Sequence, residues 1–173
     1  LERLQNQGIA LPKVHLLASH GLLNHPDLGG DYARVGIALY GLLSAREDRN
    51  LAAPDLRPVL SLRARIVSVR TVPIGQGAGY GLAFRAGRDT RLAVVSFGYA
   101  DGLPRSLAQQ GGRVLIRGQF CPMAGRICMD QLLVDVTDLP EAAPGDIVTL
   151  IGRDGNEELR AEELAGLCGT ITN

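Results

Sequence analysis

The amino-acid sequence predicts a mainly β protein, in which an antiparallel, β-barrel-like domain follows the last elements of an incomplete α/β domain. The first observation is the alternation of apolar and polar residues in LSLRARIVSV, residues 60–69, which is typical of a half-buried strand. The second is a series of short apolar segments separated by turn signals, which favours a closed or nearly closed antiparallel sheet. The third is the order helix, apolar strand, loop, apolar strand at the beginning of the chain, which is typical of parallel strands.

The N-terminal elements are predicted from their composition and their boundaries. A helix is expected in LERLQNQGI, where Gly8 would end it. LPKVHLLAS, residues 11–19, and YARVGIALYG, residues 32–41, are predicted to be buried strands joined by the loop GLLNHPDLGGD. Two strands cannot close a barrel or bury both faces of a sheet, so this α/β part is expected to be incomplete.

Residues 44–57 have the charged and then Ala/Pro-rich composition of a linker, which divides the chain into segments 1–43, 44–57 and 58–173. The last of these segments holds the predicted β domain. Its further strands are expected at 91–98, 112–117, 131–136 and 146–151, with turns at GQGAGYG, YADG, IRGQ and AAPGD. A late helix is predicted in EELRAEELAGLCG, with Leu159, Leu164 and Leu167 as an apolar stripe and Gly169 at its end.

Composition excludes several classes of protein. Hydrophobic residues make up 46% of the 173, which is enough for a folded core. Lys+Arg and Asp+Glu both number 18, so no net charge favours binding to nucleic acid. Three cysteines without CxxC spacing indicate reduced thiols and a cytoplasmic protein. No apolar run here is long enough to span a membrane, and the sequence leaves open whether a membrane segment lies upstream.

Two motifs that resemble binding sites are better explained as structure. The glycines of GQGAGYG never give the GxGxxG spacing of a dinucleotide site, because Tyr80 interrupts it, and an ordinary β-turn is expected. His15, His20 and His25 are spaced by five residues, which suits neither one strand face nor one helix face, so no metal site is predicted. One strand histidine and two loop histidines are expected instead.

Two other motifs leave alternatives open. In AGRICMDQ, Cys128 could be a nucleophile if a histidine base lay beside it, but a buried free thiol on an apolar strand is the commoner explanation. In YARVGIALYG, Arg34 is followed by Gly36, so backbone N–H groups beside a fixed positive charge could bind phosphate. The same residues also describe a plain buried strand.

Taken together and in order, HLLAS, RVGIALYG, GAGYG, GYADG and GRICMDQ resemble motifs of the fold-type III alanine racemases, which use pyridoxal phosphate. The stretch ASHGLLNHPDL and the ending GTITN are closer to the serine/alanine racemase branch linked to glycopeptide resistance. The resemblance implies that residues 1–43 match the last part of a (β/α)8 barrel and that the rest matches the family's β domain. It implies a homodimer that interconverts L- and D-alanine, with serine as an alternative, for peptidoglycan precursors.

The resemblance also assigns cofactor contacts. Ser19, Gly36 and Ile37 match the groups that bind the phosphate of pyridoxal phosphate, and Arg34 matches the arginine that faces its pyridine nitrogen. An arginine cannot give up its proton, so the ring nitrogen would stay unprotonated and side reactions would be limited. Ala18 departs from the family pattern, which has asparagine there in most members.

Tyr80 matches the catalytic tyrosine, and Met129 matches the residue whose backbone N–H meets the substrate carboxylate. The resemblance places both in the active site of the partner subunit. The residues that match the substrate entrance are Tyr99, Arg105, Arg126 and Asp130.

The family's cofactor lysine lies in a KxNAYGHG-like motif that these residues lack, and Lys13, the only lysine, does not match it. The 173 residues by themselves are therefore expected to be inactive. The alternative hypothesis is a non-catalytic β-domain module used for dimerisation or ligand binding.

Overall fold

The computed structural model describes residues 2–44 and 54–172. They form two compact units, one containing the described residues up to Arg57 together with Thr172, the other Pro58–Ile171. The predicted linker, residues 44–57, lies mostly outside the described residues, because 45–53 are not described. Within the described ranges, no helix has both the length and the apolar composition that crossing a membrane requires.

The first unit has short elements. Helix α1 covers Glu2–Gln5, strand β1 Leu17–Ala18, helix α2 Ser19–Asn24 and strand β2 Ala33–Arg34. β1 and β2 pair in parallel, as predicted, with Leu17 opposite Ala33. The predicted strands 11–19 and 32–41 are wrong in extent, since only two residues of each are paired and Ile37–Tyr40 form a 3-10 turn. A two-stranded parallel pair offers few hydrogen bonds, so the flanking apolar residues do not continue as strand.

The second unit is built on nine strands, five of which overlap the segments predicted to be strands. They are β3 (Leu62–Val72), β4 (Gly77–Ala78), β5 (Phe84–Arg85), β6 (Thr90–Val95), β7 (Arg113–Ile116), β8 (Gln119–Ala124), β9 (Leu132–Asp135), β10 (Ile147–Asp154) and β11 (Glu157–Leu159). The main sheet has the order β11-β10-β3-β6-β9-β8-β7, and every pairing in it is antiparallel. β10 also pairs with β7, through Val148 and Thr149 only, so the sheet is nearly closed, as predicted.

The core of this unit lies inside the curved sheet. Inward residues of neighbouring strands, such as Val95, Leu115, Val134 and Leu150, are fully buried. On β3 the predicted alternation is confirmed from Leu62 to Ile66, but Leu60 lies before the strand and is exposed. Burial raises the pKa of the Cys121 thiol to about 11, because the thiolate would be desolvated among these apolar residues.

The sequence analysis did not predict β8, which contains Pro122. Proline has no N–H to donate, and it is usually found on strand edges. β8 satisfies this condition, since it pairs with β7 from Gln119 to Pro122 and with β9 only at Met123 and Ala124. The β7–β8 turn was predicted correctly, and its residues Arg117 and Gly118 both have positive φ, at 51° and 76°.

The predicted late helix is wrong at its beginning. Glu157–Leu159 form β11 against β10, and helix α3 covers only Ala161–Leu167. Leu159 is 1% exposed because the sheet buries it, not because it lies on a helical stripe. Gly169 follows the helix with a φ of 65°, as expected for a residue that ends a helix.

Candidate active site

The β domain carries an open cleft between two loops that are distant in the sequence. One loop follows β4 and the other connects β8 to β9. The cleft has a volume of about 530 Å³ and is lined by Gly79, Tyr80, Gly81, Leu82, Cys128, Met129, Asp130 and Gln131. Three residues assigned from the resemblance, Tyr80, Met129 and Asp130, therefore share one cavity.

Tyr80 begins a 3-10 turn, Tyr80–Leu82, at the tip of the hairpin formed by β4 and β5. The predicted turn is thus confirmed, and the strands beside it are antiparallel. Gly79 and Gly81 have φ values of 74° and 67°, and Leu82, which is not a glycine, has a φ of 49°. A leucine is rarely found in this region, so the turn holds backbone strain beside the cleft. Tyr80 is 63% exposed.

The guanidinium of Arg126 packs against this turn. A Cβ atom added to Gly81 would be 3.4 Å from Arg126 Nη1, so the guanidinium packs against the residue that follows Tyr80. Gly125, with a φ of 69°, lets the chain pass close to the hairpin, since its Cβ would lie 3.3 Å from Phe84 Cβ. A fixed positive charge therefore lies next to the turn that carries the phenol.

The loop between β8 and β9 is held by hydrogen bonds from the 3-10 turn Tyr99–Asp101. Tyr99 N donates to Cys128 O at 3.0 Å, and Ala100 N donates to Met129 O at 3.0 Å. The ring of Tyr99 is stacked by Arg105, whose Cζ lies 5.6 Å from the ring centroid. Tyr99 and Arg105 are thereby held at the side of the cleft-forming loop.

Cys128 does not lie on a strand and is not buried, so the prediction of a buried strand thiol was wrong. The residue is half-buried and lines the cleft, with its Sγ 3.9 Å from Arg126 O. The loop conformation follows from a hydrogen bond in which Cys128 N donates to Gln131 O at 2.9 Å, which closes the turn before β9 begins.

The predicted phosphate-binding residues lie in the other unit, at the ends of the two parallel strands. The buried Ser19 follows β1, and its Oγ accepts hydrogen bonds from Gly36 N at 3.0 Å and Ala38 N at 3.4 Å. Ile37 begins the 3-10 turn after β2. Arg34 is exposed and forms no ion pair within residues 2–44 and 54–172. A hydroxyl and two backbone amides therefore converge at one edge of this sheet.

The three histidines lie before β1, in α2 and directly after α2. Over the described residues, no three His, Cys, Asp or Glu side chains are grouped to hold a metal ion. The prediction of one strand histidine was wrong, because His15 lies in a loop before β1 and His20 lies in α2. The rings of His20 and His25 are 6.3 Å apart and tilted by 54°.

The sequence analysis missed residues on both sides of the cleft. Leu82 and Gln131 line it beside the predicted residues. Asp101 and Gly98 form the turn that supports the loop at Met129, and GYADG signalled only a turn. No local pattern in the sequence indicates which loop such a turn contacts.

Two family profiles match the chain. The alanine racemase C-terminal domain matches residues 59–173, and the alanine racemase N-terminal domain matches residues 1–44. The chain belongs to the alanine racemase family. The similarity extends to curated proteins of this family, with an alanine racemase from Nostoc sp. 44% identical over 172 residues and an amino-acid racemase from Enterococcus faecalis 43% identical over 169 residues.

The chain covers only part of these relatives. The alignments include 99% and 98% of this chain but 44% of the Nostoc protein and 24% of the Enterococcus faecalis protein.

Solved alanine racemases have the same fold. The Bacillus anthracis enzyme with bound L-Ala-P aligns with a TM-score of 0.86 and 37% identity, over 99% of this chain and 43% of that one. The Bartonella henselae enzyme with covalently bound pyridoxal phosphate aligns with a TM-score of 0.85 and 33% identity, over 99% of this chain and 45% of that one. The predicted fold class, a mainly β protein with a barrel-like antiparallel domain, is confirmed.

Proposed function

We propose that this chain is the C-terminal portion of a pyridoxal-phosphate-dependent racemase that interconverts L- and D-alanine. The observation that carries the proposal is the cleft in which Tyr80, Met129 and Asp130 lie together, in a chain that belongs to the alanine racemase family. In this proposal residues 1–43 complete a barrel, 44–57 form a linker and 58–173 form the β domain. Serine is the alternative substrate.

The residues at the end of the parallel strands fit the cofactor. Ser19 Oγ already lies within hydrogen-bonding distance of the Gly36 and Ala38 amides, so a phosphate there would meet a hydroxyl and backbone donors. Ser19, Gly36 and Ile37 would hold the phosphate, and Arg34 would face the pyridine nitrogen. Pyridoxal phosphate, when bound, withdraws electrons from the substrate's α-carbon and acidifies its proton.

Tyr80 would take the proton of one enantiomer through its phenol oxygen on one side of the α-carbon, while a second acid–base group would give a proton to the opposite side. In the reverse direction the two groups would exchange these roles. A positive charge near a phenol favours its phenolate form, which is the form that accepts a proton. Arg126, packed against Gly81, supports this role. The second base would be a lysine from a segment with the family's KxNAYGHG-like motif.

The backbone N–H of Met129 would bind the substrate carboxylate. Among the described residues it donates to no other group, so it is available to a ligand. Tyr99, Arg105, Arg126 and Asp130 would line the entrance, where two guanidinium groups would attract a carboxylate.

We further propose that the active enzyme is a homodimer in which Tyr80 and Met129 enter the partner's barrel. Tyr80 and Met129 are 63% and 56% exposed, and Leu82, which lines the same cleft, is 54% exposed. An exposed phenol and two exposed apolar side chains around a cleft support an interface with a second subunit.

The role of Tyr80 is tested in the full-length protein that carries this chain. Tyr80→Phe should lower the rate of alanine racemisation about 1,000-fold, because general acid–base groups contribute in that range. Tyr32→Phe is the matched control, since Tyr32 is an exposed tyrosine of the other unit that contacts Lys13. An unchanged rate in Tyr80→Phe would favour the alternative, a β-domain module without catalytic function.

The dimer is tested by mixing two inactive variants. Arg34→Ala removes the predicted ring contact of one barrel, and Tyr80→Phe removes the phenol offered to the partner. If each site combines the two subunits, refolding an equal mixture should restore about one quarter of the wild-type activity, since half the dimers would be mixed and each would hold one intact site. No recovery in a mixture that forms dimers would contradict the shared site.

The cofactor assignment has a separate test on the 173 residues alone. Treatment with pyridoxal phosphate and borohydride should leave Lys13 unlabelled, because this lysine does not match the family's cofactor lysine and donates to the Tyr32 hydroxyl at 2.8 Å. Stoichiometric labelling of Lys13 in a mass spectrum would contradict the assignment. Full-length protein should be labelled at a lysine outside this chain.

A further inference from the structure

The peptide groups that carry the Met129 and Asp130 amides are held from one side only. The carbonyl of Cys128 belongs to the same peptide plane as the Met129 N–H, and it accepts from Tyr99 N at 3.0 Å. The carbonyl of Met129 shares its plane with the Asp130 N–H, and it accepts from Ala100 N at 3.0 Å. In a trans peptide the N–H points away from the C=O, so both amides are turned away from the supporting turn.

Neither of these amides donates to another residue within the described ranges, 2–44 and 54–172. Both residues line the cleft. The supporting turn therefore fixes the orientation of two consecutive N–H groups that remain available for a ligand, an arrangement suited to an anion such as a carboxylate.

Gly98 allows the turn to approach this closely. Its backbone is extended, with φ of −144° and ψ of −164°, so any residue could adopt the conformation. A Cβ there would nevertheless lie 2.2 Å from Met129 O and 2.5 Å from Cys128 O. Glycine is required here because the two carbonyls are in direct contact with this backbone.

Asp101 holds the turn in shape. Its Oδ2 accepts from Gly98 N at 2.9 Å, and its own N donates to Gly98 O at 3.3 Å. The carboxylate thus joins the first residue of the turn to the last, with the donors Tyr99 N and Ala100 N between them. Among the described residues, no other group accepts from Gly98 N, so this hydrogen bond is the side-chain contact that holds the beginning of the turn.

We propose that Asp101 is a positioning residue for substrate binding: through the Tyr99 and Ala100 amides, it orients the Met129 amide toward the substrate carboxylate. The inference rests on the proposed function, because the ligand of that amide is the carboxylate of the amino acid. Asp101 touches neither the substrate nor the cofactor in this scheme.

The test uses the full-length protein loaded with pyridoxal phosphate and compares three variants. Asp101→Ala removes the acceptor, and Asp101→Asn keeps an oxygen that can accept from Gly98 N. Asp89→Ala is the matched control, since Asp89 Oδ1 accepts from Ile74 N at 2.9 Å in a turn away from the cleft. Binding of propionate, which has the carboxylate of alanine without its amino group, is measured by calorimetry alongside KM and kcat for L-alanine.

Asp101→Ala should weaken propionate binding and raise KM about tenfold, the effect of one lost hydrogen bond to a charged group, while kcat changes little. Asp101→Asn should stay near the wild type, and Asp89→Ala should leave propionate binding unchanged. Equal propionate affinity in Asp101→Ala and the wild type would overturn the proposal, as would an equal loss in Asp89→Ala.

Folding of each variant is checked by circular dichroism. If Asp101→Ala does not fold, Asp101→Asn decides the question. Retained propionate affinity in Asp101→Asn would support the proposal. A loss of propionate affinity as large as the loss of racemase activity in the same variant would overturn it. A wild-type protein that racemises nothing would instead contradict the proposed function itself. The two failures are therefore distinguishable.

Discussion

The two units of this chain contain similarly apolar segments but bury them to very different extents. In the β domain, inward residues such as Leu115 and Val134 are completely buried within a nearly closed antiparallel sheet. In the N-terminal unit, Leu17 and Leu42 are buried, whereas Leu16 and Leu39 are 66% and 72% exposed. The strands of that unit pair over only two residues each.

The difference shows that an apolar segment becomes a strand only if other strands are available to pair with it. A nearly closed sheet gives each strand two neighbours and one enclosed face, so the hydrophobic pattern and the hydrogen bonds support each other. A parallel pair has neither, and its outer apolar residues need a further covering surface. In the proposed function, the rest of a barrel provides that surface.

The strongest test of this comparison is a matched pair of leucines. Leu115→Ala in the β core should lower the free energy of unfolding by about 3 kcal/mol, because it leaves a cavity among buried side chains. Leu39→Ala, at an exposed position of the N-terminal unit, should change it by less than about 0.5 kcal/mol. Urea denaturation followed by circular dichroism measures both, and equal effects would remove the distinction between the units.

A matched pair of glycines tests close packing. Gly98→Ala should destabilise the β domain by about 2 kcal/mol, since the new Cβ would meet Met129 O and the loop would have to move. Gly36→Ala, in the N-terminal unit, should have an effect within about 0.5 kcal/mol, because nothing lies within 4 Å of its Cβ position. Thermal unfolding of the two variants measures both effects. Wild-type stability in Gly98→Ala would mean that the loop between β8 and β9 does not pack closely against Gly98.

Ion pairs should also stabilise the β domain more than the N-terminal unit, but by less free energy than the buried side chains do. Arg117 donates to both carboxylate oxygens of Asp146, at 2.9 and 2.8 Å, and these bonds, with one from Ala143 N, lower the pKa of Asp146. Asp146→Asn should therefore cost about 1 kcal/mol at pH 7. Asp55→Asn should cost nothing measurable, since Asp55 and Arg57 are 78% and 89% exposed.

The stabilisation by the Asp146 carboxylate should depend on pH, and the direction follows from its lowered pKa. Because the folded-state pKa of Asp146 is lowered, its stabilisation is fully present above the unfolded value of about 3.9 and is lost as the pH falls through the folded pKa. The difference in unfolding free energy between the wild type and Asp146→Asn should thus shrink in titrations below about pH 4. A difference that stayed constant down to pH 2 would exclude the ion pair as its cause.

Much of the β domain could be predicted because its signals are local. Alternation over residues 60–69 and glycine-rich turns such as IRGQ depend on neighbours in the sequence, and the structure places a strand and a turn there. The wrong predictions also have a physical explanation. Glu157–Leu159 have a composition that favours helix, but pairing with β10 makes them a strand.

The candidate site was predictable only through resemblance to a family. From the residues alone, Tyr80 lay in an ordinary turn and Cys128 in a buried strand, and neither pattern indicated a shared cleft. Their proximity depends on how β4, β8 and β9 are arranged, and Asp101 acts through hydrogen bonds between segments far apart in the sequence.

The sequence by itself determined the positions of most strands and turns of the β domain and the family to which the chain belongs, because periodicity, turn residues and motif order are properties of the linear chain. Only the tertiary structure decided which apolar segments become strands, which loops meet at the cleft and which backbone amides remain free. These features depend on pairing partners and close approaches between distant segments, which local composition does not encode.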